Sequence, residues 1–233
     1  LDIKVKDKEV VSYNHQLVVL DKKIKKNEKM ETLVKKKLLP YKTKLDEVVG
    51  KTLTNLDRSE VFESTMDNFL LQAILDKTKR EVAFSNGWRY GVSIPLGDIS
   101  VNDLWNIIPN PKISLVQMDG KEIWEMLEEN IERTFSTDPY KQMGGYLKRS
   151  LGLKVYFKVE NSYPTRIQQL FINDKPIDLK RIYDVAYVTT QGVPLKYGKN
   201  RKDLEIDSIN VLKEYVEKEK IIKAPLRRTF IAI

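Results

Sequence analysis

A chain of 233 residues can bury a full-sized core in one or two domains, and having no cysteine it excludes disulfides, thiolate metal sites and a thiol nucleophile. Lysine and arginine number 41 against 33 acidic residues, a formal charge of +8 concentrated in runs such as Lys22-Lys23-Ile24-Lys25-Lys26 and Lys35-Lys36-Lys37. No nucleic-acid motif accompanies that charge, and no segment approaches the roughly 20 apolar residues of a membrane span, so neither nucleic acid nor membrane is expected as a partner. The charge reads as a solvated surface, and the Lys/Glu-rich composition also fits a heat-adapted source.

Residues Leu1 to Leu20 read as two strands: Ile3 and Val5 alternate with lysines, Lys6-Asp7-Lys8 turns, and Val10 to Leu20 is a β-rich run. A lone hairpin is marginal in water, so this pair looks like the tail of something preceding it. His15, the one histidine, has no second ligand at metal-binding spacing and is expected to be structural or on the surface. From Asn27 to Val49 the pattern is helical, with Met30, Leu33, Val34, Leu38, Leu39 and Tyr41 on one face and a split expected near Leu39, where Pro40 breaks the turn. This helix is expected to act as a hinge or linker (27–49) between residues 1–26 and a larger domain, 50–233.

Gly50 to Leu56 reads as a strand, and Thr65 is placed as the cap of a helix running to about Lys77, with Phe69, Leu70, Ala73 and Ile74 inward. Glu81 to Phe84 is a short strand. Gly97-Asp98-Ile99 reads as a turn, and Ser100 with Asp103 has capping-box spacing for the helix holding Leu104, Trp105, Ile107 and Ile108, which Pro109 and Pro111 stop. Ile113 to Met118 is a strand, Asp119-Gly120 a turn signal, and Lys121 to Phe135 a helix with Ile123, Met126, Leu127 and Ile131 inward and the glutamates, Glu128 and Glu129 among them, on the solvated face. Strands follow at Leu153 to Val159, Arg166 to Ile172 and Ile182 to Thr190. Gly192 to Asp203 reads as a polar loop, Ile206 to Ile221 as an amphipathic helix, and Pro225 to Ile233 as a segment pairing at a sheet edge. Helices alternate with strands, but short turns join several neighbouring strands. The expected class is therefore α/β, a mixed sheet flanked by helices.

Two loops stand apart. Ser85-Asn86-Gly87-Trp88-Arg89-Tyr90-Gly91 follows a strand and sets an arginine between two rings and two glycines. The glycines permit loop dihedrals and close backbone approach, and the guanidinium fork suits phosphate, sulfonate or carboxylate oxygens. The same residues also read as an Asn-Gly turn whose aromatics cap a core, with Arg89 stacked on a ring. In the second loop, Thr137 to Tyr146, no helical or strand period appears, and Gly144-Gly145 lets the backbone approach something closely. Groups for bond-breaking are not apparent: a phosphate-cradling loop, a dinucleotide fingerprint, an HExxH zinc motif and a Ser-His-Asp constellation are all missing from the pattern.

The order Gly50-Lys51-Thr52, Glu63-Ser64-Thr65-Met66-Asp67-Asn68, Asn86-Gly87, Gly97-Asp98-Ile99-Ser100, Met118-Asp119-Gly120-Lys121-Glu122 and Pro176-Ile177 before Tyr183 resembles the C-terminal domain of 5′-nucleotidases, from about Lys29 to Thr190 and beyond. That resemblance implies a partner, the chain's own N-terminal metallophosphoesterase domain, holding two divalent metal ions (expected to be manganese) and the catalytic His-Asp pair. Leu1 to Leu20 would be the last strands of that domain, and the full-length protein would be periplasmic or otherwise extracytoplasmic. No catalytic residue and no metal ligand are expected in this chain.

Within the family, Gly87-Trp88-Arg89-Tyr90-Gly91 and Asp138-Pro139-Tyr140-Lys141-Gln142-Met143-Gly144-Gly145 are similar to loops of the SoxB-type thiosulfohydrolases, which release sulfate from a cysteine adduct on a sulfur-carrier protein. The resemblance implies that Arg89 steadies the sulfonate and that Trp88, Tyr90 and Tyr140 wall the channel for the carrier's arm. Asn86, Asp138, Gln142, Gly144 and Gly145 complete the expected substrate-binding set. Pro109-Asn110-Pro111-Lys112 and Val188-Thr189-Thr190-Gln191-Gly192 stand where nucleotidases carry two base-stacking phenylalanines, and without two rings the stacking of roughly 1–3 kcal/mol per base is lost. A 5′-nucleotidase or 2′,3′-cyclic phosphodiesterase domain and a non-enzymatic basic binding module are the alternatives.

Overall fold

The computed structural model describes residues 1–21, 23–87 and 92–233. They fall into two units, Leu1–Lys42 and Thr43–Ile233. In the first, β1 (Asp2–Lys6) and β2 (Glu9–Asn14) pair antiparallel around Asp7 and Lys8, both at positive φ. The β-rich run expected to reach Leu20 thus ends at Asn14. Helix α1 (Glu28–Leu38) starts at Asn27, whose side chain accepts from the Met30 N–H. Pro40 cannot donate to the preceding turn, and the helix tightens to a 3₁₀ turn over Leu39–Tyr41 before the short α2 (Lys42–Leu45). Among the described residues up to Lys42, none is buried.

The second unit begins with β3 (Val48–Thr52), α3 (Thr65–Thr78), β4 (Val82–Ser85), β5 (Gly97–Ser100), α4 (Val101–Ile107), β6 (Lys112–Asp119) and α5 (Gly120–Phe135). There follow β7 (Arg149–Leu151), β8 (Leu153–Phe157), β9 (Ile167–Ile172), β10 (Lys175–Pro176), β11 (Ile182–Tyr187), the one-turn α6 (Thr189–Gly192), β12 (Lys199–Asp207), α7 (Ser208–Glu219), β13 (Ile221–Ile222) and β14 (Phe230–Ala232). The middle layer is a five-stranded sheet in the order β12-β6-β11-β4-β7. Its β4 and β11 are parallel and the other pairings antiparallel, so the sheet is mixed and the class is α/β with flanking helices.

Both faces of this layer are covered, and side-chain alternation divides its residues between two cores. Ala83, Ile113 and Ala186 join the side chains of α3, α4 and α7 on one face. Val82, Phe84, Val116, Met118 and Val185 pack on the other against α5 and a second sheet, β10-β9-β8-β14. A third, small sheet, β13-β3-β5, lies beside the first core.

Several local expectations are corrected. Ser64, not Thr65, caps α3, its hydroxyl accepting from the Asp67 N–H at 3.2 Å. Thr65 instead donates to the Asn55 carbonyl and accepts from the Asp57 N–H. Gly97 to Ser100 is not a turn but β5, extended because it pairs with β3. Asp119 is a helix cap rather than a turn residue, sharing a capping box with Glu122. The polar loop expected over Gly192 to Asp203 gives way from Lys199 to β12, an edge strand that needs only one neighbour and leaves polar side chains in water. Glu128 does not face solvent: it is 1% exposed and accepts from the Arg166 and Ile167 N–H groups, each at 2.7 Å, fixing the start of β9 to α5.

Candidate functional site

The parallel pair sets the site. β4 and β11 point their carboxyl ends the same way, β4 running out at Asn86-Gly87 and β11 into Val188 and α6. In open α/β sheets ligands bind in the crevice outside the carboxyl ends of parallel strands, and here a cavity lies outside the ends of this pair. Helix α5 borders it with Met126, Glu129, Asn130 and Arg133, one face at three- and four-residue spacing. The segment from Met143 to Lys148 closes the wall, leaving a cavity of about 380 Å³.

Asn86 is buried on this wall, its amide donating to Gln191 Oε1 at 2.6 Å and so joining the end of β4 to α6. Gly87 sits so close to Tyr146 and Arg149 that a Cβ would fall 2.6 Å from the ring and 2.8 Å from the guanidinium. Arg149 is itself pinned. It pairs with Asp67 at 3.1 Å and donates to the carbonyls of Val61 and Glu60. Asp67 also pairs with Arg58 at 2.9 Å and accepts from the Ser64 hydroxyl at 2.7 Å. Burial pushes the Arg149 guanidinium below its usual range while Asp67 pulls the other way. A buried carboxylate between two guanidiniums thus holds the Arg149 side chain against Gly87.

The cavity is basic. Lys148 is 8% exposed; its N–H donates to Asn130 Oδ1 at 2.6 Å and its ammonium to the Gln191 carbonyl at 2.7 Å. Burial lowers its pKa to about 8, with Glu129 opposing the shift and Arg133 adding to it. Glu129, across the cavity, is already matched: Arg133 and Lys196 pair with it at 2.6 and 2.7 Å, and the Tyr197 hydroxyl donates at 3.0 Å. Burial pushes this carboxyl up, but those hydrogen bonds and the Arg133 charge outweigh it and hold it below the usual range. The Tyr197 phenol is pushed up by burial and by the carboxylate it serves.

Of the residues expected to bind substrate, Asn86 and Gly144 line this one cavity. Gly144 and its neighbour Gly145 take φ of 90° and 63°, conformations that glycine enters freely, and the Tyr146 ring lies against Gly144. Gln142 is turned to its own loop, donating to the Ser136 carbonyl at 2.7 Å. Asp138 likewise accepts from the Tyr140 N–H at 3.0 Å, and the Tyr140 side chain stands in solvent at 96% exposure. Trp88, Arg89 and Tyr90 lie outside the described residues. Sequence reasoning missed Lys148, Arg133, Asn130 and Gln191. The available signal was a lysine three residues after the Gly-Gly pair, just before a strand.

A second cavity, of about 530 Å³, gathers Pro111, Lys112, Thr189 and Thr190, from the two stretches that stand in place of the base-stacking phenylalanines. Tyr187 is the one aromatic ring among its described lining residues. Arg201 already covers that ring, its guanidinium carbon 5.2 Å from the centroid and Nη1 donating to the hydroxyl at 2.8 Å. Among the described residues, no pair of rings stands open here to sandwich a base. Among them no group of three or more His, Cys, Asp or Glu side chains comes together to hold a metal ion. Among them, too, no helix is long and apolar enough to cross a membrane.

A mixed sheet with a basic crevice at the carboxyl ends of its parallel pair, covered by helices on one face and by α5 with a second sheet on the other, defines an α/β domain. The profile of the family described as 5′-nucleotidase, C-terminal domain, matches residues 47–191, and the chain belongs to that family. Comparison with curated protein sequences gives no match. Among solved structures, the chain is similar to the sulfate thiohydrolase SoxB of Thermus thermophilus, with TM-score 0.78 and 23% identity over 88% of this chain and 39% of that one. It is similar to a 5′-nucleotidase precursor from the same organism, with TM-score 0.81 and 19% identity over 99% of this chain and 48% of that one. The NAD nucleotidase of Haemophilus influenzae gives 0.68 and 15%, covering 89% and 42%. At these identities the likeness is one of fold, and the chain spans less than half of each structure's length.

Proposed function

We propose that this chain is the substrate-binding C-terminal domain of a two-metal hydrolase of SoxB type, in which it holds an oxyanion group while residues of a separate N-terminal domain break the bond. The observation that carries the reading is a basic crevice at the carboxyl ends of β4 and β11, paired with a second cavity that has no open ring pair for a base among its described residues. In this reading Asn86, Gly144 and Gly145 shape the crevice, Arg89 supplies a fork for the transferred sulfonate, and Trp88, Tyr90 and Tyr140 border the path of a carrier's cysteine arm. Asp138 and Gln142 set the loop that carries Tyr140. The two divalent metal ions (expected manganese), the N-terminal partner domain, the sulfur-carrier partner and an extracytoplasmic setting belong to the same proposal.

Turnover by the full-length protein tests it. Sulfate release from a cysteine-thiosulfonate adduct is expected to exceed phosphate release from AMP, and Arg89→Ala to lower the former by a factor of at least tens, toward the ~10²–10³ that losing a charge-stabilising donor typically costs. Faster phosphate release from AMP would make the chain a nucleotidase domain instead.

A further inference from the structure

Taking an ammonium out of water costs several kcal/mol, so a buried lysine nearly always has a carboxylate in contact. Among the described residues Lys148 does not have one: it is 8% exposed, and its ammonium bonds the Gln191 carbonyl. Among the described residues, the charged groups that face it are Glu129 and Arg133, both on α5, and they act with opposite sign. Lys196 and Tyr197 reach it only through Glu129, which they and Arg133 already satisfy. From its own segment come Tyr146 and Arg149, the latter committed to Asp67 and two carbonyls. An ammonium carries three donors, so Lys148 keeps donors for something that enters the cavity.

Its position is fixed from both sides. The backbone N–H is held by Asn130, and the next residue, Arg149, opens β7 and pairs with Ser85 at the end of β4. Lys148 therefore lines the cavity together with Asn86 and Gly144, the latter covered by the Tyr146 ring.

We propose that Lys148, as an ammonium, is a direct ligand of the tetrahedral oxyanion group of the substrate, in a cavity that Arg133 also lines. This assignment rests on the reading of the crevice as the substrate site. Sulfate, thiosulfonate and phosphate esters share the chemistry that Lys148 would recognise: compact, multiply charged oxygens able to accept from an ammonium. Because burial holds its pKa at about 8, the ligand is charged at neutral pH and loses its proton shortly above it.

Calorimetric titration of the 233-residue chain with sulfate, whose own charge is constant in this range, tests the assignment. Since the fraction protonated falls tenfold per unit above a pKa of about 8, affinity should drop about thirtyfold from pH 7 to about pH 9.5. Lys148→Arg should bind at both pH values, because guanidinium does not titrate there, and Lys148→Met should bind at least about tenfold more weakly at pH 7 and lose the pH dependence. A wild-type affinity independent of pH, or a Lys148→Met chain that binds like wild type, overturns the assignment. If Lys148→Met does not fold by circular dichroism, Lys148→Arg still decides: an alkaline loss of binding as steep as in wild type would place the titrating group elsewhere. Parallel titrations with thiosulfate and phosphate tell a sulfur oxyanion from a phosphate source, the tighter one naming the class. Sulfate binding in the predicted pattern, together with faster phosphate release from AMP by the full-length protein, keeps Lys148 and removes the thiosulfohydrolase reading. The reverse pair of results removes Lys148 alone.

Discussion

Lys148 holds its charge against the fold, and the cost has a sign that can be measured. The unfolded chain keeps a proton on this amine up to the ordinary value of 10.5, the folded chain only up to about 8. Between those values the unfolded state binds more protons, so stability rises with pH across that window and the full penalty is present below about 8. Lys148→Met removes the penalty and is expected to stabilise the protein at pH 7 by about 1–3 kcal/mol, less the hydrogen bond to Gln191. Urea melts at pH 7 and above pH 10 check this. The gain should shrink at the higher pH, and a destabilised variant at pH 7 would show that the ammonium is structurally satisfied. Asn86 and Gly144 were legible in the sequence because Asn-Gly and Gly-Gly pairs mark backbone that has a special task. Lys148 was not, because nothing in a lysine's neighbours states that it will be buried. Glu128 failed for the same reason: its helical position reads as surface until β9 supplies two N–H groups to bind.

At the scale of elements, carboxylates anchor strands that have little pairing of their own. Glu63 accepts from the N–H groups of Arg227 and Arg228 at 2.6 and 2.7 Å and from the Asn68 amide at 2.7 Å. It thereby fixes the approach of the three-residue β14 to β8. Glu63→Ala removes the carboxylate that the Arg227 and Arg228 N–H groups and the buried Asn68 amide share, and should cost about 1–3 kcal/mol, with Glu63→Gln between it and wild type. Denaturant midpoints measure the loss, and faster proteolysis after Lys223 should accompany it. The elements that sequence made plain were those whose own pattern suffices. In α5, period 3.6 puts Ile123, Met126, Leu127 and Ile131 inward. In β6, alternation sends Ile113 to one core and Val116 and Met118 to the other. β5 and β12 were hidden because their residues are polar and their extended form comes from the strand alongside, β3 for one and β6 for the other.

For the whole molecule, both cores are built from residues after Lys42. A chain beginning at Thr43 should therefore melt within about 2 °C of the full 233 residues, because the segment removed contributes no buried side chain among its described residues. A much lower melting temperature would mean that the first unit supports the second. The mixed α/β class was legible from short turns between alternating strands and helices. The crevice was not, because it depends on β4 pairing in parallel with β11 across a long stretch of chain, a choice that no local pattern records.

On the proposed reading, the domain recognises an oxyanion and not a nucleobase. Equilibrium binding of sulfate, phosphate, adenosine and AMP to the 233-residue chain at neutral pH tests it most directly. Sulfate and phosphate are expected to bind, adenosine not to bind, and AMP to bind no more tightly than phosphate. Binding of adenosine by itself, or AMP bound about tenfold or more tighter than phosphate, as even one stacked base would give, would contradict it.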